Sequence, residues 1–173
     1  MSNGKTVKDV MIDVFEFPHI PYWFSIKQAI GITKKALLTS DKCLHPLIIL
    51  VFDEKYNLVG TLTLKDIIGG LEPKYLKATT KAQVPIEDES GLALLWDSLF
   101  DKEAKEAAER PVGEAMSPAK IFVKPDDPLT KAAYLMIHND LILLPVLEDK
   151  KKFVGLVRMI EIFNEVSDTI FKG

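Results

Sequence analysis

At 173 residues, with 47% hydrophobic and 27% charged residues, the chain has the composition of an ordinary globular protein of one domain or two small ones. A net charge of −3 gives no electrostatic reason to expect nucleic acid or an anionic membrane as partner. No apolar run approaches the ~18 residues that cross a bilayer, the opening MSNGKTVKDVM has no signal-peptide core, and the single Cys43 excludes an internal disulfide, so the expected compartment is the cytoplasm.

In chain order, Thr6-Val7-Lys8-Asp9 has capping-box spacing and predicts a short helical turn ending at Met11. The aromatic and proline-rich stretch from Phe15 to Phe24 reads as a loop, serving either as local core or as a dimer or partner surface. Ser25 is placed to cap a helix from Ile26 to about Leu38, with Ile26, Ala29, Ile30, Thr33 and Leu37 on one face. Val51 to Ile68 then reads as strand, polar turn, a second strand carrying Gly60, and a helix from about Leu64 that stops at Gly69-Gly70. Residues 72–87 read as linker. A longer helix is expected from about Ser90 to Arg110, where Leu92, Leu95, Trp96, Leu99 and Phe100 make a stripe that belongs either to the core or to a subunit contact. Beyond Val112 come a short strand at Ile121-Phe122-Val123, a helix to about His138, strands near Ile142–Leu147 and Lys152–Val157, and a last helix expected to turn Ile162, Phe163, Val166 and Ile170 inward.

The Val51 stretch occurs twice. A shift of 95 residues lays Val51-Phe52-Asp53-Glu54-Lys55 on Val146-Leu147-Glu148-Asp149-Lys150, Leu58-Val59-Gly60 on Phe153-Val154-Gly155, and Asp66-Ile67-Ile68 on Glu161-Ile162-Phe163. Upstream the offset widens, so that Val10-Met11 matches Ala115-Met116 and the first copy carries extra residues between its helix and strand. Each copy is strand, helix, two strands and helix. About 60 residues bury only ~60% of their unfolded surface, so neither copy closes a core alone, and packing sheet to sheet with a shared cleft is the expected solution.

In the second copy, Val112-Gly113-Glu114-Ala115-Met116-Ser117, Phe122-Val123-Lys124-Pro125-Asp126, Leu144-Pro145-Val146 and Gly155-Leu156-Val157 resemble a cystathionine-beta-synthase-type (CBS) domain. Val7-Lys8-Asp9-Val10-Met11 and Gly60-Thr61-Leu62-Thr63-Leu64-Lys65-Asp66 resemble the same domain in the first copy. The resemblance implies an α+β fold, a tandem CBS pair (a Bateman module) with an inserted helix between repeats. Its divisions are residues 1–71, a linker with accessory helix at 72–110, and residues 111–173. It also implies a stand-alone regulatory module, an adenine nucleotide or derivative bound in the cleft between repeats, a homodimer, and a separate effector protein.

On that resemblance the ligand pattern Gly-x-x-Ser/Thr-x-x-Asp maps to Thr63, near phosphate, and Asp66, on the ribose hydroxyls. A diol offers two donors to a carboxylate, and the free N–H groups of a helix start attract phosphate. Lys65 is a further phosphate candidate or else a solvated helix residue. Adenine is assigned to Ala119, Lys120, Ile121, Leu141 and Ile142. Candidate ligands are AMP, ADP, ATP, S-adenosylmethionine and NAD, none of them a required cofactor. The second copy departs from the pattern: Arg158 replaces the hydroxyl and Glu161 the aspartate, which predicts a second, weaker site or none, with a salt bridge from Arg158 to Glu161 or Glu114 as the plain alternative. Thr63-x-x-Asp66 is equally a capping box. A ligand-free oligomerisation or protein-interaction module is therefore the competing function. The scattered His19, His45 and His138 lack metal-ligand spacing, Cys43 lacks a neighbouring histidine, and no phosphate loop or nucleophile elbow occurs, so neither a metal nor a catalytic residue is assigned.

Overall fold

The computed structural model describes residues 4–13, 16–39, 47–72, 102–149 and 152–172. The expected stripe from Leu92 to Phe100, most of the expected linker, Cys43 and His45 lie outside the described residues. In chain order the elements are a 3-10 turn (Val7–Asp9), β1 (Ile12–Asp13), β2 (His19–Pro21), α1 (Ile26–Thr39), β3 (Ile48–Phe52), β4 (Leu58–Thr63), α2 (Leu64–Gly70) and α3 (Lys102–Ala107). A second 3-10 turn (Val112–Glu114), β5 (Ser117–Pro118), α4 (Leu129–His138), β6 (Leu143–Glu148), β7 (Lys152–Arg158) and α5 (Met159–Phe171) complete the chain.

The fold is α+β, and two compact units divide it. Unit I gathers the described residues of 1–17, 55–58 and 119–173, and unit II those of 18–54 and 59–118. The lead segment of each repeat therefore sits with the strands and helices of the other.

Unit II is built on the sheet order β2-β3-β4-β5. Ile48, Ile49, Leu50 and Val51 are all buried, as expected of a central strand covered on both faces. Burying each such side chain contributes about 1.5–3 kcal/mol. The stretch read as an aromatic loop contains a strand: His19–Pro21 pairs in parallel with Leu50–Phe52, and Ile20 is buried in the core with Ile26, Ala29, Val51, Leu62 and Val112. Proline obscured it, but β2 lies at the end of the sheet, where a missing N–H breaks no ladder. Helix α1 begins where Ser25 predicts. The Ser25 N–H donates to Gln28 Oε1 at 2.9 Å and the Gln28 N–H to Ser25 Oγ at 3.2 Å. Leu37, grouped with its inner face, is 63% exposed. Helix α3 ends at Ala107, short of the Arg110 expected.

Unit I is built on the order β1-β7-β6, both pairings antiparallel. Val7, Val123, Ala132, Met136, Leu144, Val146, Val157 and Ile162 form its core. The strand expected at Ile121-Phe122-Val123 reduces to one parallel bridge, Val123 to Val146. The Thr6–Asp9 box forms as predicted, with the Thr6 N–H donating to Asp9 Oδ2 at 2.8 Å. Helix α5 departs from expectation. Ile162 faces the core, but Phe163, Val166 and Ile170 are 67%, 51% and 68% exposed. Ile162, Val166 and Ile170 stand at i, i+4 and i+8 on one flank of the helix, and burial fades along it from Ile162 to Ile170, so the core covers only the first turn of that flank.

Candidate functional site at the β4–α2 junction

Thr63 ends β4 and is the N-cap of α2 in an extended conformation. From there its hydroxyl accepts the Asp66 N–H at 3.2 Å and donates to Asp66 Oδ2 at 2.9 Å, while the Thr63 N–H donates to the same oxygen at 2.9 Å. The other carboxylate oxygen, Oδ1, accepts the Ser117 hydroxyl at 3.0 Å. The carboxylate is thus fixed by two chain segments at a helix start. Asp66 and Thr63 are half-buried, and Ser117 and Lys65 are exposed.

Ser117 was not singled out from the sequence as a site residue. It arrives because β5 pairs antiparallel with β4, Thr61 opposite Ser117 and Gly60 opposite Pro118. Gly60 permits that approach, for a Cβ there would lie 2.6 Å from Met116 Sδ and 2.8 Å from the Ser117 carbonyl oxygen. A glycine late in a strand was the available signal.

The corresponding junction in unit I is chemically different. Arg158, the N-cap of α5, is buried at 7% exposure. Its Nε donates to Glu161 Oε1 at 3.0 Å, its Nη2 to the same oxygen at 2.5 Å, and its backbone N–H to Glu161 Oε2 at 2.7 Å. The guanidinium carbon stands 5.8 Å from the centre of the Phe17 ring. Of the two partners open to Arg158, it takes Glu161. A cation at a helix start is unfavourable, and here Glu161 both neutralises it and caps the helix.

The five residues assigned to adenine belong to unit I. Ile121 and Leu141 pack against its core, Ala119 is half-buried, Lys120 is exposed, and Ile142 is 49% exposed while its carbonyl accepts the Met159 N–H. Thr63, Lys65 and Asp66 belong to unit II. Among the described residues no group of three or more His, Cys, Asp or Glu side chains is placed to hold a metal ion.

The fold defines a class of protein. Residues 112–168 match the family model of the CBS domain. Among solved structures, CBSX2 from Arabidopsis thaliana in complex with AMP is 19% identical, with 96% of this chain and 98% of that one covered and a TM-score of 0.63. The CBS domain pair of MJ0100, in complex with 5'-methylthioadenosine and S-adenosyl-L-methionine, is 20% identical over 96% of this chain and 98% of that one, with a TM-score of 0.59. The cytosolic domain of the Mg2+ channel MgtE in complex with ATP is 19% identical over 93% of this chain, which spans only 48% of that one, with a TM-score of 0.60. No curated protein sequence matches significantly. The protein has the fold of a CBS-domain pair, and its second repeat belongs to the CBS-domain family. Among the described residues, no helix is long and apolar enough to cross a membrane.

Proposed function

We propose that the chain is a regulatory module that binds one adenine nucleotide or nucleoside derivative at the β4–α2 junction, with Asp66 receiving the ribose hydroxyls and Thr63 and the helix start facing phosphate. The observation that carries this reading is the Asp66 carboxylate, held by Thr63 on one oxygen and Ser117 on the other, at the first turn of α2. The adenine ligands of CBSX2, MJ0100 and MgtE support the ligand class. At the β7–α5 junction the buried Arg158 guanidinium occupies the place beside the Glu161 carboxylate, so that junction takes no ligand.

Thermal unfolding against AMP, ADP, ATP, S-adenosylmethionine and NAD tests the proposal. A ligand at 100 times its dissociation constant adds about 2.7 kcal/mol of stability. That gain disappears in Asp66→Ala. Melting curves unmoved by all five ligands would sink the reading.

A ligand-free interaction module is the second reading, and the outward stripe of α5 favours it: Phe163, Val166 and Ile170 present an apolar surface of the kind that marks interfaces. The two readings meet in a homodimer formed by this stripe against its copy, since a two-fold axis pairs a patch with itself. The regulated effector is then a separate protein.

A further inference from the structure

Each lead segment enters its unit past the first turn of a helix, and the internal repeat allows the two entrances to be compared. In unit II, Ser25 and Pro111 form an antiparallel bridge, and the Ile26 N–H donates to the Arg110 carbonyl at 2.9 Å. In unit I, Pro128 and Thr6 form the same bridge, and the Leu129 N–H donates to the Lys5 carbonyl at 3.0 Å. The repeat lays Ile26 on Leu129 and Val112 on Val7, so these contacts are counterparts.

What stands upstream of them differs. In unit II the segment is led in by α3. The Lys27 N–H donates to the Ala108 carbonyl at 2.8 Å, Lys27 Nζ lies 3.7 Å from Glu109, and Ala107 and Ala108 are buried. The charged Lys102, Glu103, Lys105 and Glu106 of α3 are exposed, so the helix turns its alanines inward. In unit I no helix precedes Lys5 among the described residues. A groove of about 420 Å³ opens there instead, beside Gly4 and Lys5 and between α4 and α5. Leu129, Ala133, Ile162, Val166 and Ile170 give it an apolar lining, and the Lys5–Glu165 ion pair, 2.6 Å long, adds the charged part. Leu71, which the repeat lays on Val166, is half-buried, whereas Val166 is 51% exposed.

We infer that the α4–α5 groove is the docking site for an amphipathic helix of a partner protein, one that turns adjacent small apolar residues inward as α3 turns Ala107 and Ala108. Two packed helices with an open apolar seam are the usual receiver of such a helix, and the volume is ample for its contact side chains. Val166 and Ile170 belong to this groove and to the α5 stripe alike, so helix docking and self-pairing are alternatives. The inference gives the separate effector a surface and needs neither Asp66 nor a nucleotide.

Amide shifts of the isotope-labelled full chain, titrated with the end-capped peptide of residues 102–110, test it. The expected shifts fall in α4, α5 and Lys5, and they vanish in Ala133→Glu and with a peptide carrying Ala107→Asp and Ala108→Asp. A second measurement does not depend on how Ala133→Glu folds. Residues 102–108 joined ahead of Gly4, the register the repeat gives, should raise the melting temperature by about 2–4 °C, and the double-aspartate version should not. Neither shifts nor a gain in melting temperature overturns the inference. So do shifts confined to α1 and α2, which mean that the peptide only displaces α3. Amides of α4 and α5 that ignore the peptide but move on dilution of the chain make a second copy the occupant and overturn it as well. Asp66→Ala should respond to the peptide as wild type does, and a lost response there overturns the groove as a separate site. Failure of the chain to bind any nucleotide leaves it standing.

Discussion

Two junctions of the same descent have become opposites through two side chains. At β4–α2 a hydroxyl caps a short carboxylate with no cation beside it in these hydrogen bonds; at β7–α5 a longer acid and a buried arginine satisfy each other. Arg158 is buried with Glu161 beside it, so Arg158→Ala leaves a carboxylate without its counter-ion and costs about 3–5 kcal/mol, measured as a shift in urea unfolding. A loss below ~1 kcal/mol would place the pair among solvent-screened surface contacts. Thr63→Ala removes the α2 cap and costs about 1 kcal/mol even without ligand. The sequence made Thr63-x-x-Asp66 legible because both its partners lie within four residues. Ser117 was not legible as their neighbour, since nothing local to it announces a partner 51 positions away.

At the scale of elements, the lead strands β1 and β5 decide the architecture. Each passes a glycine of the opposite repeat so closely that a methyl group has no room: a Cβ at Gly155 would stand 2.6 Å from the Ile12 carbonyl oxygen, as one at Gly60 meets Met116 and Ser117. Gly60→Ala and Gly155→Ala each force backbone to move and cost about 1–3 kcal/mol, read from denaturant midpoints. Unit I also carries a pH signature. The Thr6 N–H and hydroxyl hold Asp9 below the usual carboxylate range. Burial works to raise Asp127, but the Lys124 N–H and the Lys131 ammonium outweigh it and the net shift is downward. A lowered folded value means stability that is complete above the unfolded value of about 3.9 and lost as pH falls through the folded one. Denaturant midpoints should therefore decline on acidification below about pH 4, and flat midpoints there would contradict the two contacts. Local patterns predicted the caps of α1 and α2 and both hairpins. They missed β2, where edge position excuses the prolines, and they carried the buried flank of α5 too far, because periodicity does not say how far along a helix the core reaches.

For the whole molecule, the duplication was legible from order alone: matched valines, glycines and acids recur in the same succession in both copies. What order does not convey is the exchange of lead segments between units, which depends on strand pairing over long separations. The α5 stripe belongs to this scale as well. The proposed pairing of this stripe with its copy predicts a dimeric wild type and a monomeric Phe163→Glu in light scattering; a monomeric wild type, or a variant that stays dimeric, would remove this stripe as a subunit contact.

The central claim is that one junction holds a nucleotide and its repeat cannot. Calorimetric titration of the full chain with AMP measures this most directly. The account predicts one ligand bound per chain, abolished by Asp66→Ala and indifferent to Glu161→Gln. Two ligands per chain, or binding that persists without the Asp66 carboxylate, would contradict it.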